Sequence, residues 1–270
     1  MQNVASRCRA MIAAQHGRMP FSLMAKIAEK YLRSYNNIAN WELPLNGEDY
    51  VLSLLLSKLE GDVFDVGGNH GDWSVAALRH LRPGHIIHCF EILPDLRKIL
   101  TETLMSSMAR VKINGMGLGS AEKLESINFD PRLDTISSKY DLIYQNTNPR
   151  VIMAQITTGD LYVKRENVTD IALLKIDVEG MEMEVLSGFA ESFARGLVQA
   201  VQFEHGPSHV LSGHTLRDFI LFFEGHNFVV YEIFPHRLLK FHYDFSREVY
   251  DGKNFLAIRN DRQKLLGMAT

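Results

Sequence analysis

Two spacings of apolar residues alternate along this chain, one helical and one extended. Recurrence at three and four residues marks SLMAKIAEKYLRSY (22–35) and EDYVLSLLLSKL (49–60) as helices, the second capped by Asn46. NNIANWELPLNG between them reads as loop. From residue 62 short apolar runs alternate with amphipathic stretches. DVFDVG (62–67), HIIHCFEI (85–92), RVKING (110–115), DIALLKIDV (170–178) and LVQAVQFEH (197–205) read as strands, with DIALLKIDV the most apolar. Helices are expected at 72–81, 94–108, 182–196 and 215–226. EKLESINF (122–129) alternates like an edge strand, 130–150 reads as loop, and 151–167 combines a strand with a short helix. FVVYEIF (228–234) and KNFLAIRN (253–260) complete the strands.

Strands alternating with helices imply an α/β fold, a mostly parallel sheet with helices on both faces joined by right-handed crossovers. The two late strands are expected to form an antiparallel terminal hairpin. Residues 1–45 are expected as an N-terminal helical extension and 46–270 as the main domain. Ligands in such sheets bind at the carboxyl ends of the strands. That rule gathers Gly67–Gly71, Glu91, Asn114, Asp177 and Glu204 on one rim.

Composition narrows the picture modestly. At 270 residues and 46% hydrophobic the chain can bury a large core, and a net charge of −3 argues against a dedicated nucleic-acid binder. Cys8 and Cys89 form no CxxC pair, so a reducing, cytoplasmic compartment fits better than a disulfide scaffold. No stretch reaches a membrane span. The N-terminus has no acidic residue before Glu29 but carries Arg7, Arg9, Arg18 and Lys26, which fits either a packed terminal helix or a basic segment in peripheral contact with a membrane surface or partner. A homo-oligomer is left open.

VFDVGGNHGDWSVAAL (63–78) is a strand, a glycine cluster and a helix start. Such a turn lets a ligand approach the backbone and meet unpaired helical N–H groups. Val66 stands where the dinucleotide pattern GxGxxG needs glycine, which weakens a nicotinamide oxidoreductase reading. Glu91, twenty residues after Gly71 at the end of the next strand, is placed to bond the ribose hydroxyls of an adenosine-type ligand.

Lys175-Ile176-Asp177-Val178-Glu179-Gly180, then Glu182 and Val185-Leu186 before Gly188, resemble the signature of the FkbM family of S-adenosylmethionine-dependent methyltransferases. Asp65-Val66-Gly67-Gly68-Asn69-His70-Gly71 resembles the family's D-V-G-A-N-x-G, with glycine for alanine at 68. Phe90-Glu91-Ile92 resembles its F-E-P, with proline displaced to Pro94. The Asn114–Gly119 and Thr157–Asp160 segments match more loosely. The resemblance covers about residues 60–205. It implies a class I methyltransferase (Rossmann-like) fold and methyl transfer, usually to oxygen, commonly on a sugar, glycan, glycolipid or natural product.

The resemblance also implies roles. Gly67, Asn69 and Gly71 are expected along the methionine end of S-adenosylmethionine, Asp65 to order the loop or reach the amino group through water, Glu91 to hold the ribose, and Asn114 and Met116 to lie near the adenine. Core packing is the rival role for Met116. Methyl transfer to an alcohol calls for a base or a cation. Asp177, Glu204 and His205 are the catalytic candidates, and Asp177 with Glu204 the candidate ligands of a divalent cation such as magnesium. Glu182, at a helix start, is expected to answer the helix dipole. The acceptor pocket is expected from the N-terminal segment, 130–160 and 235–250, the last read either as an acceptor site or an exposed hairpin loop. N-methylation and a non-catalytic binding module on the same fold are the alternatives.

Overall fold

A computed structural model describes residues 2–38, 40–130, 137–140 and 150–267. The chain divides into two compact units, Met1–Asn40 and Trp41–Thr270. The first contains helices α1 (Gln2–Ala13) and α2 (Phe21–Tyr35).

The second unit begins with α3 (Leu43–Asn46) and α4 (Glu48–Leu56). Residues 43–46, read as loop, form a helical turn begun by Leu43 and Pro44, a proline suiting a first helical turn. Asn46 Oδ1 accepts from the Glu48 amide at 2.9 Å, although the residue directly before α4 is Gly47. The alternation follows as β1 (Asp62–Val66), α5 (Asp72–His80), β2 (Ile87–Phe90), α6 (Pro94–Thr103) and β3 (Val111–Asn114). A side excursion contains β4 (Gly117–Leu118), β5 (Lys123–Phe129), β6 (Ser137–Ser138) and β7 (Arg150–Thr157). The chain returns through α7 (Gly159–Glu166), β8 (Ile171–Ile176), α8 (Glu182–Ser187), α9 (Ala190–Ala194) and β9 (Ala200–His205). It closes with α10 (Ser208–Ser212), α11 (Leu216–Gly225), β10 (Phe228–Phe234), β11 (Arg237–Lys240), β12 (Lys253–Arg259) and α12 (Asn260–Leu266).

Eight strands form the main sheet in the order β11-β10-β12-β9-β8-β1-β2-β3. The run β9-β8-β1-β2-β3 is parallel, and β12, β10 and β11 pair antiparallel at one edge. The antiparallel end is thus present, but the tight hairpin joins β10 to β11 across Pro235 and His236. Residues 237–240, read as loop, are a strand. The sheet is covered on both faces. Phe64, Leu174, Phe203, Phe219 and Phe223 belong to one core cluster; Val63, Leu173, Leu52, Leu55 and Ala77 belong to the other. Adjacent residues on one strand, Val63 with Phe64 and Leu173 with Leu174, serve opposite clusters because successive side chains point to opposite faces. Every residue of β8 is buried, as a central parallel strand requires.

Two other expectations change. The strand at 122–129 is no edge: it lies between β7 and β6 in a separate four-stranded sheet, ordered β4-β7-β5-β6. The helix expected over 182–196 is broken into α8 and α9 around Gly188. A Cβ there would lie 2.1 Å from the Gly119 carbonyl, so the break follows from close backbone packing. Most of the loop expected at 130–150 lies outside the described residues.

Candidate functional site

The carboxyl ends of β1 and β8 are bound together by a buried cation. Lys175 Nζ lies 3.1 Å from Asp65 Oδ1 and 3.5 Å from Asp177 Oδ2, and donates to the Gly67 carbonyl at 2.9 Å. Its side chain is 8% exposed, and the negative charges of Asp65, Asp177 and Glu48 more than offset burial, holding its pKa above the ordinary value. Asp65 Oδ2 accepts from Ser74 Oγ at 2.7 Å, tying the strand to α5.

The glycine turn follows from this closeness. Gly67 has φ +89°, and a Cβ on it would sit 1.9 Å from the Asp177 carbonyl, so no other residue fits. Gly68 differs: its Cβ would meet nothing nearer than Leu100 Cδ2 at 3.3 Å, so alanine there needs only a small adjustment. The Gly67 and Gly68 amides donate to Phe90 O at 3.1 and 3.0 Å. Glu91 then clamps the turn, Oε2 accepting from the Asn69 amide at 2.9 Å and Oε1 from the Leu93 amide at 2.8 Å. Burial raises the Glu91 pKa despite those two amides.

A second turn, 177–181, is organised by Glu182. Its Oε1 accepts from the Val178 amide at 3.0 Å, and its Oε2 accepts from the Gly180 amide at 2.9 Å and lies 2.8 Å from His209 Nε2. Glu182 is 1% exposed. It holds a loop in which Glu179 and Gly180 both have positive φ, a larger task than answering a helix dipole.

Between the two turns lies a cavity of about 1000 Å³. The glycine turn, Trp73 and Glu91 form one side. Ile92, Leu96, Leu118, Ile127 and Ile156 form an apolar slot. Asp177, Glu179, Glu204 and Glu48 supply carboxyl groups, and Trp41, Leu43 and Pro44 are also among the lining residues. Burial, then the negative charge of Asp177 and Glu182, raises Glu179 to about 8. Glu204 is raised well above the ordinary value by burial, by the charges of Asp177, Glu179 and Glu182, and by a hydrogen bond with the Asp177 carboxyl. Among the described residues, no group of three or more His, Cys, Asp or Glu side chains is placed to hold a metal ion.

Gly67, Asn69, Gly71, Glu91, Asp177 and Glu204 therefore meet at one cavity. Four expected residues do not line it. Asp65 is wholly buried and spent on Lys175 and Ser74, which fits its loop-ordering role and not a direct contact. Asn114 is buried, its Nδ2 donating to the Cys89 carbonyl at 3.0 Å and its Oδ1 accepting from Tyr162 Oη at 3.2 Å. Met116 packs against the core, the rival role weighed above. His205 follows Glu204 on β9, so it points to the opposite face. Its Nδ1 donates to the Val249 carbonyl at 3.1 Å, its ring stacks on His209, and burial and that neighbour lower its pKa to about 4. Of the segments expected to build an acceptor pocket, and among the described residues, 1–45 contributes Trp41, Leu43 and Pro44, 130–160 contributes Ile156, and 235–250 contributes none. Lys175, seen in the sequence only as part of the signature, and Trp41, Trp73 and Glu48 have no role assigned from the sequence. A lone lysine in an apolar strand was the visible signal for the first; the others needed the tertiary fold.

The strand order with its antiparallel edge, the glycine turn after β1 and the acid after β2 define a class I methyltransferase. Residues 65–230 match the model of the methyltransferase FkbM domain, and the chain belongs to the FkbM methyltransferase family of S-adenosylmethionine-dependent enzymes. It is 26% identical over 194 residues to the hexuronic acid methyltransferase AglP of Haloferax volcanii, covering 69% of this chain and 76% of that one. The methyltransferase FkbM structure from Methylobacillus flagellatus is 14% identical, with a TM-score of 0.45; the match covers 74% of this chain and 43% of that chain's length. The O-methyltransferase of Bacillus cereus, solved in complex with SAH, is 11% identical with a TM-score of 0.47, covering 85% and 88%.

The ammonium between the strand ends has a measurable consequence. Lys175→Met leaves the carboxylate of Asp65 buried without its charge partner, and should cost roughly 3–5 kcal/mol in urea unfolding. Pairing it with Asp65→Asn should recover part of that loss.

Proposed function

We propose that this enzyme methylates a hydroxyl of a sugar, glycan, glycolipid or related natural product. The observation that carries the reading is the half-buried carboxyl pair Asp177–Glu204 on the wall of a cavity otherwise suited to S-adenosylmethionine. The relative named for hexuronic acid supports a carbohydrate acceptor.

The residues present fit the cofactor. Trp73 Nε1 is a buried donor at the cavity with no acceptor among the described residues, and the amides at the start of α5 are unpaired within the helix. Both suit the methionine carboxylate beside Gly67, Asn69 and Gly71. Glu91, at the cavity wall, would hold the ribose hydroxyls. The slot of Ile92, Leu118 and Ile156 suits the adenine, where Asn114 and Met116 were expected.

When bound, S-adenosylmethionine supplies a methyl group on a positively charged sulfur, open to in-line attack. Glu204 would take the proton of the acceptor hydroxyl whose oxygen receives that methyl group, the cofactor leaving as S-adenosylhomocysteine. A raised pKa makes Glu204 a stronger base than an exposed carboxylate. Asp177, bridging to Lys175, keeps its neighbour's carboxyl oriented. The same pair is the proposed site for a divalent cation, which would act by acidifying the hydroxyl.

Trp41 stands beside this pair. A Cβ built on Gly252 would lie 3.0 Å from Glu204 Oε1 and 3.2 Å from the Trp41 ring, so indole and carboxyl are neighbours. Trp41 is 69% exposed, leaving an aromatic face for the C–H face of a pyranose while the carboxyls meet its hydroxyls.

Calorimetric titration with S-adenosylhomocysteine tests the cofactor site: binding should be tight in the wild type and lost in Glu91→Ala. No binding to the wild type would leave a binding module on an inherited fold. Hexoses and hexuronic acids form the acceptor screen, run with magnesium and with EDTA; loss in EDTA would assign the pair to a cation. Glu204→Gln should lower kcat by roughly 10²–10⁴-fold with S-adenosylhomocysteine affinity kept. Because the base is the ionised carboxylate, the rate should rise with pH, and Asp177→Asn, by removing a negative charge, should move that rise to lower pH. Trp41→Ala should raise acceptor KM while S-adenosylhomocysteine affinity holds, with Trp41→Phe between the two.

A further inference from the structure

The first unit shows a feature that methyl transfer does not use. In α2 no residue is buried, and Leu23, Met24, Ile27, Tyr31, Leu32 and Tyr35 are each 48–66% exposed. At about 100° per residue, Leu23, Ile27, Tyr31, Met24 and Tyr35 fall within an arc of about 120°. Lys26, Lys30 and Arg33 fall outside that arc along its Leu23 edge, within about 20–80° of Leu23. In α1, Val4, Met11 and Ile12 are likewise exposed, with Arg7 and Arg9 on the same helix. Residues 1–40 contain six Lys and Arg against one acid, Glu29, whereas the whole chain carries −3. No helix among the described residues is long and apolar enough to cross a membrane.

We propose that residues 1–40 dock on an anionic lipid surface, α2 lying in the interface plane with its apolar face among the acyl chains. Charge decides between occupants. A second copy would bring two strongly cationic surfaces together as the apolar faces met. An anionic leaflet neutralises the same cations while it receives the apolar side chains. An apolar face and a basic patch are the two signals that stable interfacial binding needs. The proposal stands apart from the identity of the acceptor, since it uses no residue of the cavity.

The full chain should be sedimented with phosphatidylcholine vesicles, with and without phosphatidylglycerol. The expected result is binding to the anionic vesicles at least tenfold tighter than to neutral ones, weakening as salt screens the charges. Lys26→Gln/Lys30→Gln should reduce anionic binding roughly thirtyfold, and Ile27→Asp/Tyr31→Asp should abolish it. All four positions are exposed, so both variants should keep wild-type thermal unfolding and S-adenosylhomocysteine binding. Equal partition onto both vesicle types, or onto neither, would overturn the proposal. So would a dimer in analytical ultracentrifugation that Ile27→Asp/Tyr31→Asp dissociates, which would assign the face to a second copy.

Discussion

The site depends on one buried ammonium. Lys175 sits near the end of a fully buried strand, an expensive place for a charge unless it is paired and hydrogen-bonded. Its partners come from both central strands: the Asp65 carboxylate and Gly67 carbonyl from the β1 end, and Asp177 from its own. Holding those ends together forces the backbone at Gly67 so close to Asp177 that a side chain cannot intervene. The glycine turn and the acidic rim are therefore two products of one contact.

Glu182 plays the matching part on the other side of the cavity. It uses two backbone amides and His209 to hold a turn containing consecutive left-handed residues. The Lys-Ile-Asp-Val-Glu-Gly-x-Glu run can be understood piece by piece. Lys175 joins the strands, Asp177 and Glu179 face the cavity, Gly180 turns the chain, and Glu182 pins the turn. Crowding of carboxyl groups there raises Glu179 and Glu204, so the chemistry of the rim comes from proximity and not from residue type alone.

Much of the main sheet was legible because burial on both faces leaves a short apolar run, and those runs identified β1, β2, β3, β8 and β9. The errors arose where long-range contacts override local pattern. Gly188 breaks a helix because Gly119 of another segment lies against it. β5 alternates like an edge strand but is internal, its partners β7 and β6 forming a second sheet that periodicity cannot assign. His205 and Glu204 look equivalent at a strand end, yet one-residue alternation sends only Glu204 to the cavity. Asn114 and Met116 stand near the rim in sequence terms, but the hydrogen bonds of one and the packing of the other take them into the interior.

By itself the sequence determined the α/β class, the strand-glycine-helix turn, the acid after the second strand and the family resemblance. Each is written in local spacing, which reflects the periods of strand and helix and the steric needs of a turn. Only the tertiary structure decided which polar side chains share the cavity, that Trp41 stands beside Glu204 from a segment more than 160 residues away, and that the carboxyls there change one another's acidity. Those properties depend on distance through space and on exclusion of water, and neither is encoded in the order of residues along one stretch of chain.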